Sequence, residues 1–336
     1  IFQGLFCVIT GALVSGAIAD RARFGAWLVF VSLWTLLVYT PVAHWVFDAS
    51  AGSHVGGWLL NKIGVIDFAG GTAVEICSGA SALALAIVMG KRIGFGRDPM
   101  RPHNLTLVMI GAGLLWFGWY GFNAGSALGA GHKAAVVFAT TTLAGAAGTL
   151  GWLLLERLRD GKATSLGAAS GMVAGLVAIT PSGASLSPIG SILMGAAAGA
   201  ICAVAVGLKF RFGYDDSLDV VGVHLVGGLV GTLGIGLIGT AAAPTGVDGL
   251  FYGGGFGQLG KQALAAGVVL VYAFVVSGLL GYAVHKVMGF RLVREHELSG
   301  IDLAIHGETA YDFNTVTAGR AGGHGILRSL THPEED

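Results

Sequence analysis

Between Ile1 and Met288 the sequence is built from nine long apolar runs. They lie near residues 1–19, 24–47, 68–90, 105–124, 134–155, 164–180, 188–208, 219–240 and 262–288. A helix needs about 20 mostly apolar residues to cross a hydrocarbon core roughly 30 Å thick, since lipid offers no partner to backbone polar groups. Each run is apolar on all faces or nearly so, which fits lipid contact or dense helix packing and not a soluble amphipathic helix. The run at 164–180 is short and glycine-rich. Of 336 residues, 54% are hydrophobic and only 11% charged, against roughly 25% charged in ordinary soluble domains. Mean hydropathy is +0.75. This composition excludes a disordered chain, a basic nucleic-acid binder and almost any soluble enzyme. The expectation is an all-α polytopic membrane protein, with a transmembrane domain over 1–288 and a cytoplasmic tail over 289–336.

The charges orient the spans. Formal net charge is zero, from 19 basic and 19 acidic residues, so no partner is implied by overall charge. One set of alternate loops holds Arg21, Arg23, Lys91, Arg92, Arg97, Arg101, Arg157, Arg159, Lys162, Lys209 and Arg211. The other set holds only Lys62, Lys133 and Lys261. The positive-inside rule places the rich set and the tail in the cytoplasm and residue 1 outside. The chain opens at Ile1 inside an apolar run with no charged segment before it, so that run is not read as a signal peptide. Residues are expected to precede it. Cys7, Cys77 and Cys202 all sit in apolar runs and read as packing residues, and they form no metal-ligand spacing. Glycines recur four apart at Gly167, Gly171 and Gly175, at Gly195 and Gly199, and at Gly227 and Gly231. Such rows let helices approach closely in lipid.

Two ionisable residues fall deep inside spans. Residues 74–79 read Val-Glu-Ile-Cys-Ser-Gly and residues 223–228 read Val-His-Leu-Val-Gly-Gly. Asp67 and Asp219 precede these strings as expected N-caps. The two helices start on opposite sides of the membrane, the pattern of an inverted repeat. Glu75 lies about 12 Å along its helix from Asp67, and His224 about 7.5 Å from Asp219. An ionisable group at such depth is costly unless paired or hydrated and is a functional candidate by default. The alternative for each alone is a structural hydrogen bond between helices. His44 reads as an interfacial anchor, and His103 and Asn104 after Pro102 as a helix start.

Several strings then combine. They are Phe2-Gln-Gly-Leu-Phe6, Asp67-Phe-Ala-Gly-Gly-Thr-Ala-Val-Glu75, Gly90-Lys-Arg-Ile-Gly-Phe-Gly96, Pro102-His-Asn-Leu105, Trp119-Tyr-Gly-Phe-Asn-Ala-Gly-Ser126 and Asp219-Val-Val-Gly-Val-His224. Gly300-Ile-Asp and His306-Gly-Glu-Thr-Ala-Tyr311 follow in the tail. Together they resemble the ammonium transporter family (Amt, Mep and Rh proteins) from residue 1 to about 313. The resemblance implies an inverted-repeat bundle of eleven spans, of which nine are expected here as the third to eleventh. It also implies a homotrimer with one pore per subunit.

Position by position, the resemblance makes Phe6 and Phe122 a stacked gate. Ser126 becomes a hydroxyl contact for the cation in an outer vestibule, and Asp67 a carboxylate that shapes that vestibule. Trp119 becomes an aromatic at the pore wall, counted with the substrate-binding residues, and His224 the second of two pore histidines. Glu75 stands where the first pore histidine is expected, as in some members, notably among the fungi. Phe47 stands where an outer tryptophan is expected, with Trp45 two residues away. Phenylalanine is the weaker cation–π partner.

The function implied is passage of ammonium or ammonia, with methylammonium as an analogue. Ammonium would be recruited outside and deprotonated, and ammonia would cross with a Glu75/His224 proton relay. A plasma-membrane location is implied, the inner membrane in a bacterium, as is a regulatory partner of the P-II type at the cytoplasmic face. No cofactor or metal is expected. The competing readings are an ammonium sensor on the same scaffold and a pore for another small solute. An enzyme is disfavoured, because Gly253-Gly-Gly255-x-Gly257 has no strand before it to make a phosphate cradle.

Overall fold

A computed structural model describes residues 1–311; the Gly-rich end of the tail, closing on Pro333-Glu-Glu-Asp336, lies outside them. The described residues are almost wholly helical, and pairing of extended backbone is limited to two isolated bridges. Among the described residues, seven helices are long and apolar enough to cross a membrane. They are α2 (Phe24–Phe47), α3 (Gly71–Met89), α4 (Leu105–Asn123), α5 (His132–Asp160), α7 (Pro188–Phe212), α8 (Val221–Ile238) and α9 (Gly257–Met288). Two shorter apolar helices of 15 residues, α1 (Phe2–Gly16) and α6 (Ser165–Ile179), occupy the first and sixth runs.

The outer surface explains the apolar composition. On α4 only Ala112, Trp119 and Asn123 are buried, while Leu114 and Phe117 are largely exposed. A helix with apolar residues on both its buried and its outward faces is stable only in an apolar solvent. Asn104 caps α4, its side-chain oxygen accepting the Leu107 N–H at 3.0 Å.

The glycine rows are helix seams. A Cβ on Gly175 or Gly195 would lie 2.2 Å from the Ala144 carbonyl oxygen. One on Gly199 would lie 2.1 Å from that of Gly148, and one on Gly231 2.2 Å from that of Ala178. These contacts draw α6 and α7 against α5, and α8 against α6, at backbone distance. Close backbone packing replaces the hydrophobic drive that lipid cannot supply. Elsewhere polar groups join helices. The Trp34 indole N–H donates to Ser81 and Ser277 at 3.0 and 2.9 Å, tying α2, α3 and α9. All three cysteines are free.

The chain divides into two compact units, Ile1–Arg291 and a second from Leu292 onward. In the second, the described residues form a short helix, α10 (Arg294–Ser299), and a π-turn at Asp302–His306.

Candidate functional site

The site is organised by the openings of α3 and α8. Both begin with a π-helical turn, Gly71–Ile76 and Val221–Leu225, and both continue as a 13-residue α-helix. In the first turn the Glu75 N–H donates to the Gly70 carbonyl five residues back, at 3.0 Å. Asp67 caps this end completely. One oxygen accepts from Gly70 and Gly71 N–H at 2.8 and 2.7 Å, and the other from Thr72 and Ala73 N–H at 2.8 and 3.1 Å. A carboxylate at the positive end of a helix satisfies amides that have no partner within it.

The matching cap on α8 is not Asp219. That residue adopts left-handed backbone (φ 63°), and its carboxylate pairs with Lys209 at 2.7 Å. Asp216 takes the cap instead and accepts the Val221 N–H at 2.7 Å. Burial pushes the Asp216 carboxyl up to about 6. Asp216 precedes His224 by eight residues, the same interval that separates Asp67 from Glu75. That equality was the available signal. Nearness of Asp219 to the apolar run masked it, and Lys209, which draws Asp219 away, is ten residues distant.

The two openings meet. Gly228 lets α8 close on α3: its Cβ would fall 2.9 Å from Glu75 Cβ. Gly79 does the reverse against Leu225, at 2.5 Å. Within this crossing His224 Nδ1 and Glu75 Oε2 are 2.6 Å apart, with both residues buried. The pair is at charge-assisted hydrogen-bond distance.

Two cavities flank the phenylalanines. The rings of Phe6 and Phe122 stack at 4.4 Å between centroids and 18° between planes. On one side, the one expected from the charge pattern to face outward, lies a cavity of about 950 Å³, lined among others by Phe6, Tyr39, Phe47, Asp67 and Ser126. Phe47 meets Phe6 edge-on at 6.0 Å. Trp45 turns away and packs on Trp58 and Tyr272, so of the two aromatic candidates Phe47 faces the cavity. The Ser126 hydroxyl donates to the Phe122 carbonyl at 2.7 Å, which leaves its oxygen lone pairs for a donor. On the other side lies an apolar cleft of about 600 Å³, lined among others by Phe6, Phe122, Trp119, Glu75 and His224 and by Gly111, Gly118 and Gly121 of α4; it opens between α1 and α4 past Leu5 and Leu114, both more than half exposed. Trp119 belongs to this second cavity; its indole N–H is spent on Thr180 at 2.9 Å.

Residues 1–311 match the family model described as the Ammonium Transporter Family. This chain belongs to the ammonium transporter family. It is 60% identical over 320 residues to an ammonium transporter of Mycobacterium tuberculosis strain H37Rv, a match covering 93% of this chain and 67% of the relative. The crystal structure of Candida albicans Mep2 matches with a TM-score of 0.80 and 34% identity, over 88% of this chain and 66% of that one. A structure described as "Sensor Amt Protein" matches at 0.83 and 29%, over 90% and 75%. This family member therefore spans about two-thirds of the length of the first two relatives. As a member of the ammonium transporter family it is a membrane protein and not an enzyme, and its helices and seams are those of a multi-pass bundle.

Proposed function

We propose that the chain passes ammonium-derived ammonia across a membrane through the path defined by the two cavities. The observation that carries this reading is the Glu75–His224 contact at the floor of an apolar cavity behind stacked phenylalanines. An apolar passage favours neutral ammonia, since a bare cation loses its hydration there. Ammonium is drawn to the outer cavity by the Phe47 face, the Ser126 oxygen and the field of Asp67. Each aromatic face contributes about 0.5–2 kcal/mol to a desolvated cation. The Phe6/Phe122 stack then stands between the outer cavity and the apolar one.

Deprotonation has a balanced route in this pair. An N–H bond of ammonium breaks, its electron pair stays on nitrogen, and the proton goes to His224 Nε2. The proton on His224 Nδ1 passes to Glu75 Oε2. The pair moves from a net charge of −1 to zero, so no isolated imidazolium is left in the apolar site. The reverse shift releases the proton for onward transfer.

The wider setting follows from the same reading: a homotrimer in the plasma membrane, residue 1 outside, the tail cytoplasmic, and regulation by a P-II-type protein. A sensor on the same scaffold is the second reading, favoured by the likeness to the sensor structure. The deciding measurement is methylammonium and ammonium uptake, with current, in proteoliposomes of the full-length protein. Saturable uptake that His224→Ala reduces at least tenfold supports conduction. Binding without uptake overturns conduction and supports a sensor.

A further inference from the structure

The outer cavity carries a second anionic side chain, Asp48, directly after Phe47 and about one-third exposed. Both its oxygens are held by imidazoles. His44 Nδ1 lies 2.9 Å from Oδ2, and His54 Nε2 lies 2.9 Å from each oxygen. His44 comes from the last turn of α2, four residues back. His54 is brought in by a loop folded tightly around Asp48. Gly57 N–H and the Asn61 side-chain amide both donate to the Asp48 carbonyl at 2.8 Å. Ala51 and His54 exchange backbone hydrogen bonds at 3.2 and 2.9 Å. A Cβ on Gly56 would lie 2.2 Å from the Asp48 carbonyl oxygen, so only glycine lets the loop close this far.

The hydrogen bond from His54 holds the Asp48 carboxyl below the usual carboxylate range, and like an ordinary carboxylate it is anionic at neutral pH. The other charged groups lining this cavity are Asp67, whose oxygens already accept four backbone N–H groups, and Lys133. Asp48 is also hydrogen-bonded, but to two half-exposed imidazoles and not to helix amides, and its side chain is one-third exposed, so it is the more accessible carboxylate to an approaching cation; Lys133 opposes it. Phe47 offers a cation less than a tryptophan would, and a fixed charge at the cavity mouth acts over a longer range than a ring face.

We infer that Asp48, oriented by His44 and His54, is a recruiting carboxylate for small ammonium cations at the outer cavity, and that Lys133 sets a counter-charge that lowers the cavity's affinity for them. This rests on the transport reading above.

The test measures methylammonium uptake by full-length protein in proteoliposomes and methylammonium binding by calorimetry. Asp48→Asn should raise KM and Kd by about three- to tenfold, with the change falling on KM and not on the saturating rate. Asp48→Glu should restore most of it, and added salt should shrink the difference. Lys133→Gln should move both constants the other way. Unchanged KM and Kd in both variants overturn the inference, as does a loss confined to the saturating rate. If Asp48→Asn does not assemble, Lys133→Gln decides: its KM and Kd must fall. If the parent binds but does not transport, the transport reading fails, and the Kd ratios still judge Asp48.

Discussion

In the proposed transport reading, Glu75 is the residue on which the chemistry turns. A histidine at that position would place two imidazoles in contact, and taking up a proton would create a cation in an apolar cavity. The glutamate lets the pair end neutral. Glu75→Gln keeps a hydrogen-bonding partner for His224 and removes the proton acceptor. It is expected to cut uptake at least tenfold while the protein still assembles, as judged by size-exclusion chromatography. Glu75→His is expected to transport with a displaced pH–rate profile, since an imidazole and a carboxyl take up protons in different ranges; superimposable profiles would count against the relay. Asp216 makes a prediction of another kind. Its carboxyl binds a proton more tightly in the folded protein, at about 6, than an unfolded aspartate near 3.9. The stability linked to that group is therefore present below about pH 4 and lost as pH rises through 6. Asp216→Asn retains an oxygen for the Val221 N–H. It should raise the unfolding temperature in detergent at pH 7.5, by up to about 3 kcal/mol in stability, and the gain should vanish below pH 4.

At the scale of elements, the glycine rows and the pore-helix openings were legible to different degrees. The four-residue glycine spacing pointed to close seams, and at Gly175, Gly195, Gly199 and Gly231 backbone meets backbone, while Gly167 and Gly227 face the side chains of Glu156 and Val177. Gly199→Leu places a side chain against the Gly148 carbonyl, which cannot move without unseating α5. We expect this variant to lose roughly 1–3 kcal/mol or more and to fail to yield folded protein, whereas Gly257→Ala, at a position with open space around it, should be neutral. The pairing of Glu75 with His224 was also legible, because two ionisable groups in repeat-related apolar runs have few other ways to be satisfied. The cap on α8 was not. Choosing between Asp216 and Asp219 depends on where the backbone turns left-handed and on a lysine supplied from the previous helix. Neither shows in the local pattern. The loop that folds His54 onto Asp48 was hidden for a similar reason: its hydrogen bonds are mostly to backbone, which any residue carries.

At the scale of the molecule, the apolar runs set the bundle and the charges set its expected sidedness. Single cysteines in a cysteine-free background report this directly. A cysteine at Gly131, between α4 and α5, should react with an impermeant maleimide added outside intact cells. One at Gly161, between α5 and α6, should react only after permeabilisation; the opposite pattern would invert the proposed orientation. The 15-residue helix α6 is short for a full crossing at 1.5 Å per residue, in line with the short run at 164–180. Beyond its end the chain turns to meet the α3 cap, where the Phe68 N–H bonds the Pro181 carbonyl.

The π-turns that open α3 and α8 each carry a residue more than an α-turn would hold. Deleting one residue ahead of the ionisable side chain, from 71–74 or from 221–223, would let the turn tighten into an α-turn while the helix beyond the cut keeps its facing, because only the surplus residue is lost. The same deletion farther along either helix has no surplus to draw on and would swing everything beyond it by about 100°. On the proposed reading, a frame-preserving codon loss inside either turn would therefore spare the Glu75–His224 pairing, whereas one a turn or two later would tear the packing of α3 on α8.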